Sequence, residues 1–202
     1  MTQERQSEWH DQWSMLSDDE EFLFRDWIHP MRIEDLRGLS VLECGCGGGH
    51  HTAMLADHAA RVTAVDLNTV DLARARNGRR TNVEFLEADV ASMDLGREFD
   101  VVVGVGMVHH TDDPDRTFEN LRRHTRVGGR TIVWVYSREG NWMVERLVEP
   151  FLGRFARVNC AAHCSRLFHD RVPSLGRGNF CFASSPKNLG PDHFVPVIAR
   201  AT

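Results

Sequence analysis

Residues Val41-Leu42-Glu43-Cys44-Gly45-Cys46-Gly47-Gly48-Gly49-His50 constrain the fold more than any other stretch of the chain. A short apolar run leads to an acid, then to a loop with four glycines in five positions, then to Thr52-Ala53-Met54-Leu55-Ala56, which is helix-forming. So many glycines cost backbone entropy on folding. The physical reason to keep them is a ligand that must approach the backbone closely, typically at a helix N-terminus. Strand, glycine loop and helix together make the first unit of an alternating α/β domain.

The alternation continues. Arg61–Asp66 reads as a second strand, and Thr69–Arg80 as a second helix with Val70, Leu72, Ala73 and Ala75 apolar. Asn82–Leu86 is a third strand. Phe99–Val105 is a continuous apolar run, the signature of a strand buried on both faces. Asp113-Pro114 opens a further helix with proline at its first position. Gly128-Gly129 is expected to end that helix, and Arg130–Tyr136 to form a fifth strand. This order predicts a Rossmann-like, doubly wound α/β fold, its mostly parallel sheet covered by helices on both faces. Asn179–Ala183 and Phe194–Ala199 are candidates for a final antiparallel strand pair.

Upstream, Ser17-Asp18-Asp19-Glu20 has capping-box spacing before an apolar face of Phe22, Leu23, Trp27 and Ile28. Asn141–Phe155 has a helical texture. The expected division is a helical segment at 1–38, a ligand-binding domain at 39–156 and a divergent tail at 157–202 without a clear helical period. The chain's 202 residues suit one well-filled domain.

A net charge of -5 gives no basic face for nucleic acid. No run approaches 18 apolar residues, and the N-terminus lacks the apolar core of a signal peptide, so a cytoplasmic protein without a membrane span is expected. Cys44 and Cys46 sit too close for an unstrained disulfide, so reduced thiols are expected. Cys160, His163, Cys164 and His169 fit no established zinc spacing, and no metal site is assigned.

Asp66 falls at the end of the second strand, 21 residues after Gly45, where a doubly wound sheet sets a carboxylate beside the loop to accept ribose hydroxyls. A dinucleotide and S-adenosylmethionine both match that arrangement. In the dinucleotide fingerprint the third glycine would fall at His50, a bulky residue. The pattern acid-x-Gly-x-Gly-x-Gly is instead filled completely by Glu43, Gly45, Gly47 and Gly49. A carboxylate there repels pyrophosphate and suits a ligand carrying an ammonium group, which favours S-adenosylmethionine.

With these residues the chain resembles the class I S-adenosylmethionine-dependent methyltransferases, most closely the small-molecule group with a ubiquinone-biosynthesis-type domain. The resemblance covers about residues 9–146 and is strongest over 41–136. It implies that Glu43, Gly45, Cys46, Gly47 and Gly49 surround the amino-acid end of S-adenosyl-L-methionine. Asp66 would hold the ribose and Leu67 contact the adenine. Asp89 and Val90, in Glu87-Ala88-Asp89-Val90, would meet the adenine amino group and ring face. Phe99-Asp100-Val101-Val102 through Val105 is the fourth-strand motif, followed by Val108-His109-His110 and Asp113-Pro114. His109 and His110 stand on the acceptor side, either as base or as pocket wall. Trp9 and Trp13 would belong to a lid over the cofactor.

The implied function is methyl transfer to a small-molecule acceptor by in-line displacement. A cofactor-binding domain without turnover, owing to its unusual tail, is the alternative, and a nicotinamide-dependent oxidoreductase is disfavoured by Glu43 and His50. No Asn-Pro-Pro-Tyr run of the amino-group DNA methyltransferases follows the fourth strand. Oligomeric state and acceptor identity are not legible.

Overall fold

The computed structural model describes residues 21–135, 180–182 and 195–200. Helix α1 (Glu21–Trp27) and a 3-10 turn at Ile33–Leu36 lead into β1 (Ser40–Cys44), α2 (His50–His58), β2 (Arg61–Asp66), α3 (Val70–Asn77), β3 (Val83–Glu87) and β4 (Phe99–Val105). A 3-10 turn at Val108–His110, α4 (Pro114–Arg123), β5 (Thr125–Val135), β6 (Phe180–Phe182) and β7 (Val195–Arg200) follow. The strands form one sheet in the order β3-β2-β1-β4-β5-β7-β6. The first five are parallel, and β7 pairs antiparallel with both β5 and β6. The doubly wound, mostly parallel fold is as the sequence predicts.

Period-two alternation along the strands splits the core into two layers. Val41, Val62, Val101, Val103 and Ile132 face one layer, which is closed by Phe24, Ile28, Ile33, Leu36 and Leu55 from α1, the first 3-10 turn and α2. Leu42, Cys44, Val65, Val102 and Val133 face the other, where Val90, Val108 and Leu121 of α4 complete it. Both faces of the central strands β1 and β4 are therefore largely dry, which is why β4 reads as an apolar run. The capping-box residues 17–20, Trp9 and Trp13 lie outside the described residues, as do Asn141–Phe155 and the Cys160–His169 group.

Two local expectations are corrected. On α1 it is Phe24 that is fully buried and Leu23 that is exposed, while Trp27 and, just past the helix, Ile28 pack into the core as expected. Gly128-Gly129 does not end α4. That helix stops at Arg123 with His124 as its cap, and the glycines lie within β5. There β4 and β5 change register between Phe99 and Val101: Phe99 pairs with Thr125 and Val101 with Arg130. The bulge needs Gly128 at φ +77° and Gly129 where a Cβ would stand 2.8 Å from the Asp100 carbonyl. The final strand pair is present with an inversion of position, since β7 lies between β5 and β6 in the sheet.

Candidate active site

The sheet order reverses direction between β1 and β4, and ligands of doubly wound sheets bind at the strand carboxyl ends beside such a switch. A cavity of about 500 Å³ opens there. Each of the first four strands contributes to its wall: Gly45 after β1, Asp66 to Thr69 after β2, Asp89 to Ala91 after β3, and Val105 to Met107 at the end of β4. His110 to Asp113 and Arg116 close the side toward α4.

The glycine loop is held by an almost complete set of hydrogen bonds. The Gly45 and Cys46 amides donate to the Val65 carbonyl at 2.7 and 3.1 Å, and the Gly49 amide to the Cys46 carbonyl at 2.9 Å. The Gly47 amide donates to Asp66 Oδ2 at 3.0 Å. From α3, Asn77 Nδ2 donates to the Gly49 carbonyl at 2.8 Å and Arg76 Nε to the Gly48 carbonyl at 3.1 Å. Glycine is required at both ends of the loop. At Gly45, φ +73°, a Cβ would meet Met107 Cβ at 2.7 Å; at Gly49, φ +79°, it would meet Asn77 Nδ2 at 2.6 Å and Ala73 Cα at 2.8 Å. The close helix approach therefore falls on Gly49, the third glycine of the acid-led pattern, and not on His50.

Asp66 organises the second segment. Besides Gly47, it accepts the amides of Asn68 at 3.2 Å and Thr69 at 3.3 Å on Oδ1. Three of the roughly four lone-pair sites of a carboxylate are thus used, and the side chain still reaches the cavity wall. Asp89 caps the turn after β3, accepting the Ala91 amide at 2.9 Å and the Ser92 hydroxyl at 3.0 Å, and it too lines the cavity.

Glu43 is almost entirely buried, at 3% exposure, on the β1 face that meets α2. Its Oε2 accepts the Thr52 hydroxyl at 2.6 Å, and its Oε1 has no hydrogen-bond partner among the described residues. Burial, with a smaller contribution from the Asp66 charge and against the Thr52 bond, pushes its carboxyl up to about 8. The Cys44 and Cys46 thiols are free and buried, and burial pushes both upward, so they stay protonated.

The two histidines part company. His110 is half-buried on the cavity wall, while His109 is fully buried behind it, the rings 4.0 Å apart and tilted by 47°. Burial, with the neighbouring His110, pushes His109 down to about 3, so at neutral pH its imidazole is uncharged and a weak base.

Six residues expected at the cofactor line the cavity directly: Gly45, Asp66, Leu67, Asp89, Val90 and Val105. Glu43, Cys46, Gly47 and Gly49 stand behind Gly45 in the loop and its strand. The sequence reading passed over Asn68, Thr69, Ala91, Gly106, Met107, Thr111, Asp112 and Arg116, which also reach the wall. All sit within three residues of a recognised motif, so the signal for them was their flanking position alone.

Known proteins share this fold. A family model described as a methyltransferase domain matches residues 42–133. The ubiquinone biosynthesis O-methyltransferase of Pseudomonas fluorescens (strain Pf0-1) is 30% identical over 122 residues, covering 55% of this chain and 53% of that protein. The tRNA U34 carboxymethyltransferase of Alteromonas mediterranea is 29% identical over 137 residues, covering 63% of this chain and 38% of that protein. The chain spans about half the length of the ubiquinone-type relatives it matches. Among solved structures, the N-methyltransferase NodS from Bradyrhizobium japonicum WM9, in complex with S-adenosyl-L-homocysteine, superposes with a TM-score of 0.61 at 16% identity, covering 96% of this chain and 98% of that one. That likeness shows the fold. Fold, ordered motifs and the family match agree: over residues 42–133 the chain carries a methyltransferase domain of the class I S-adenosylmethionine-dependent kind.

Proposed function

We propose that this protein transfers a methyl group from S-adenosyl-L-methionine to a small-molecule acceptor. The observation that carries the reading is the single cavity wall onto which separate sequence motifs bring Gly45, Asp66, Leu67, Asp89, Val90, Val105 and His110. The residues suit the cofactor chemically. Asp66 accepts a ribose hydroxyl, and Leu67 and Val90 flank the adenine, with Asp89 toward its amino group. Behind the loop, the buried carboxyl of Glu43 keeps its proton while the site is empty and suits a ligand whose ammonium would ionise it. The relatives' names and the S-adenosyl-L-homocysteine in NodS support the same cofactor.

Bound there, the cofactor supplies an electrophilic methyl on a sulfonium. The chain's own contribution is alignment and exclusion of water. Met107, packed on Gly45, and His110 form the wall facing the acceptor. His110 orients the acceptor or takes its proton, and His109 supports His110 from behind. A small acceptor is favoured by the net charge of -5 and by the carboxylates of Asp66, Asp89, Asp112 and Asp113 on the wall, set against the cation Arg116. Such a surface disfavours a phosphate backbone. No helix among the described residues is long and apolar enough to cross a membrane.

The test is release of S-adenosylhomocysteine across a panel of oxygen, nitrogen and carbon acceptors. Turnover with one class is expected. Tight cofactor binding without turnover on any acceptor, RNA included, would instead favour a binding domain that has lost its chemistry.

A further inference from the structure

Four of the five amides of the glycine loop have partners other than Glu43. Gly45 and Cys46 donate to Val65, Gly49 to Cys46, and Gly47 to Asp66. Glu43 therefore does not cap the loop, although it stands two residues before it. Its carboxyl is buried with one oxygen on Thr52 and the other without a partner among the described residues. A half-satisfied buried acid costs stability, so its retention points to a ligand.

Thr52 is unusual in turn. A threonine in the first turns of a helix ordinarily bonds back to the carbonyl four residues earlier or faces solvent. Here that carbonyl, Gly48, is taken by Arg76 Nε. Thr52 is fully buried, and its hydroxyl donates to Glu43 Oε2 at 2.6 Å, joining α2 to β1 underneath the loop. A β-branched side chain in a helix has little rotamer freedom, so the hydroxyl direction is fixed by the backbone.

We infer that Thr52 is a positioning residue of the cofactor site: it holds one oxygen of Glu43 so that the other is presented, directly or through one water, to the ammonium of the cofactor's amino-acid end. The inference rests on the methyltransferase reading above. It assigns Thr52 a role specific to one end of the ligand, which a purely structural contact would not have.

Two probes separate these possibilities by calorimetry on the full chain. S-adenosylhomocysteine carries the amino-acid end, and 5′-methylthioadenosine lacks it. Thr52→Val is expected to weaken S-adenosylhomocysteine about tenfold, the scale of a charge-assisted hydrogen bond, and to leave 5′-methylthioadenosine within about twofold. Thr52→Ser, which keeps the hydroxyl, is expected to restore S-adenosylhomocysteine to within about threefold of wild type. In a Glu43→Gln background the Thr52→Val effect should shrink toward nothing. Should Thr52→Val not fold, Thr52→Ala takes its place with the same expectations. Unchanged S-adenosylhomocysteine affinity in the valine or alanine variant overturns the inference, as does equal weakening of both ligands. Failure of the wild type to bind either ligand overturns the methyltransferase reading itself.

Discussion

Glu43 shows how much a single residue carries at this site. Unliganded, its carboxyl sits at about 8, against an ordinary value of 4.5. The folded protein therefore keeps a proton that the unfolded chain releases, and stability falls as pH rises from about 4.5 to about 8. The slope is at most about 1.4 kcal/mol per pH unit. Urea unfolding of Glu43→Gln at pH 6 and pH 8 should show that loss removed. If wild type and variant lose stability equally between the two pH values, burial does not govern this carboxyl. His109 has the opposite sign. Its depressed value near 3 means stability is lost as pH falls from about 6.5 toward 3. As a buried ring it serves packing: His109→Ala should lower stability by about 2 kcal/mol or more, whereas the half-buried His110→Ala should lower acceptor turnover. Both variants should keep cofactor affinity, and a tenfold loss in either would contradict the acceptor-side placement.

The elements were legible wherever local chemistry decided them. β2 and β4 match the expected boundaries because the one run ends in Asp66 and the other stops before Gly106, and Asp113-Pro114 starts α4 as its capping chemistry requires. What failed was register. The Gly128-Gly129 pair reads as a helix stop, but its purpose is a bulge that exists only because β5 must re-pair with β4 after Phe99. Nothing local in the sequence encodes a partner strand. The same limit hid Asn77, which looks like an ordinary helix-end residue and in fact holds the glycine loop from α3. Two glycines allow a comparison. Gly49→Ala meets both a left-handed backbone and Asn77, and should destabilise by about 3 kcal/mol or more, whereas Gly128→Ala meets only the backbone preference, about 1 kcal/mol. Thermal melts check this, and equal shifts would deny the close packing of the loop on α3.

At the scale of the molecule, the part of the wall proposed for the cofactor draws on motifs that are short, local and ordered along the chain. The part proposed for the acceptor draws on connections whose composition carries no fixed spacing. Arg116, Met107 and Asp112 were invisible for that reason, though they share one wall with Asp66. In the tail only the two strand candidates were legible, and they fall on β6 and β7. Residues 157–202 lack a helical period, yet Val195–Arg200 pairs with β5 over six residues, from Arg130 with Arg200 to Val135 with Val195. A strand inserted between β5 and β6 depends on long-range pairing rather than on its own pattern. Hydrogen exchange should therefore protect the amides of 195–200 to an extent comparable with β5; rapid exchange there would remove β7 from the sheet.

The central claim is that the wall organised by the glycine loop and Asp66 is built for S-adenosylmethionine and against a dinucleotide. Calorimetric titration of the full chain with S-adenosylhomocysteine and with NAD tests it most directly, using wild type and Asp66→Ala. One S-adenosylhomocysteine site, weakened at least about tenfold in Asp66→Ala, with no heat from NAD, is the predicted result. Binding of NAD in preference to S-adenosylhomocysteine, or an affinity indifferent to Asp66, would contradict it.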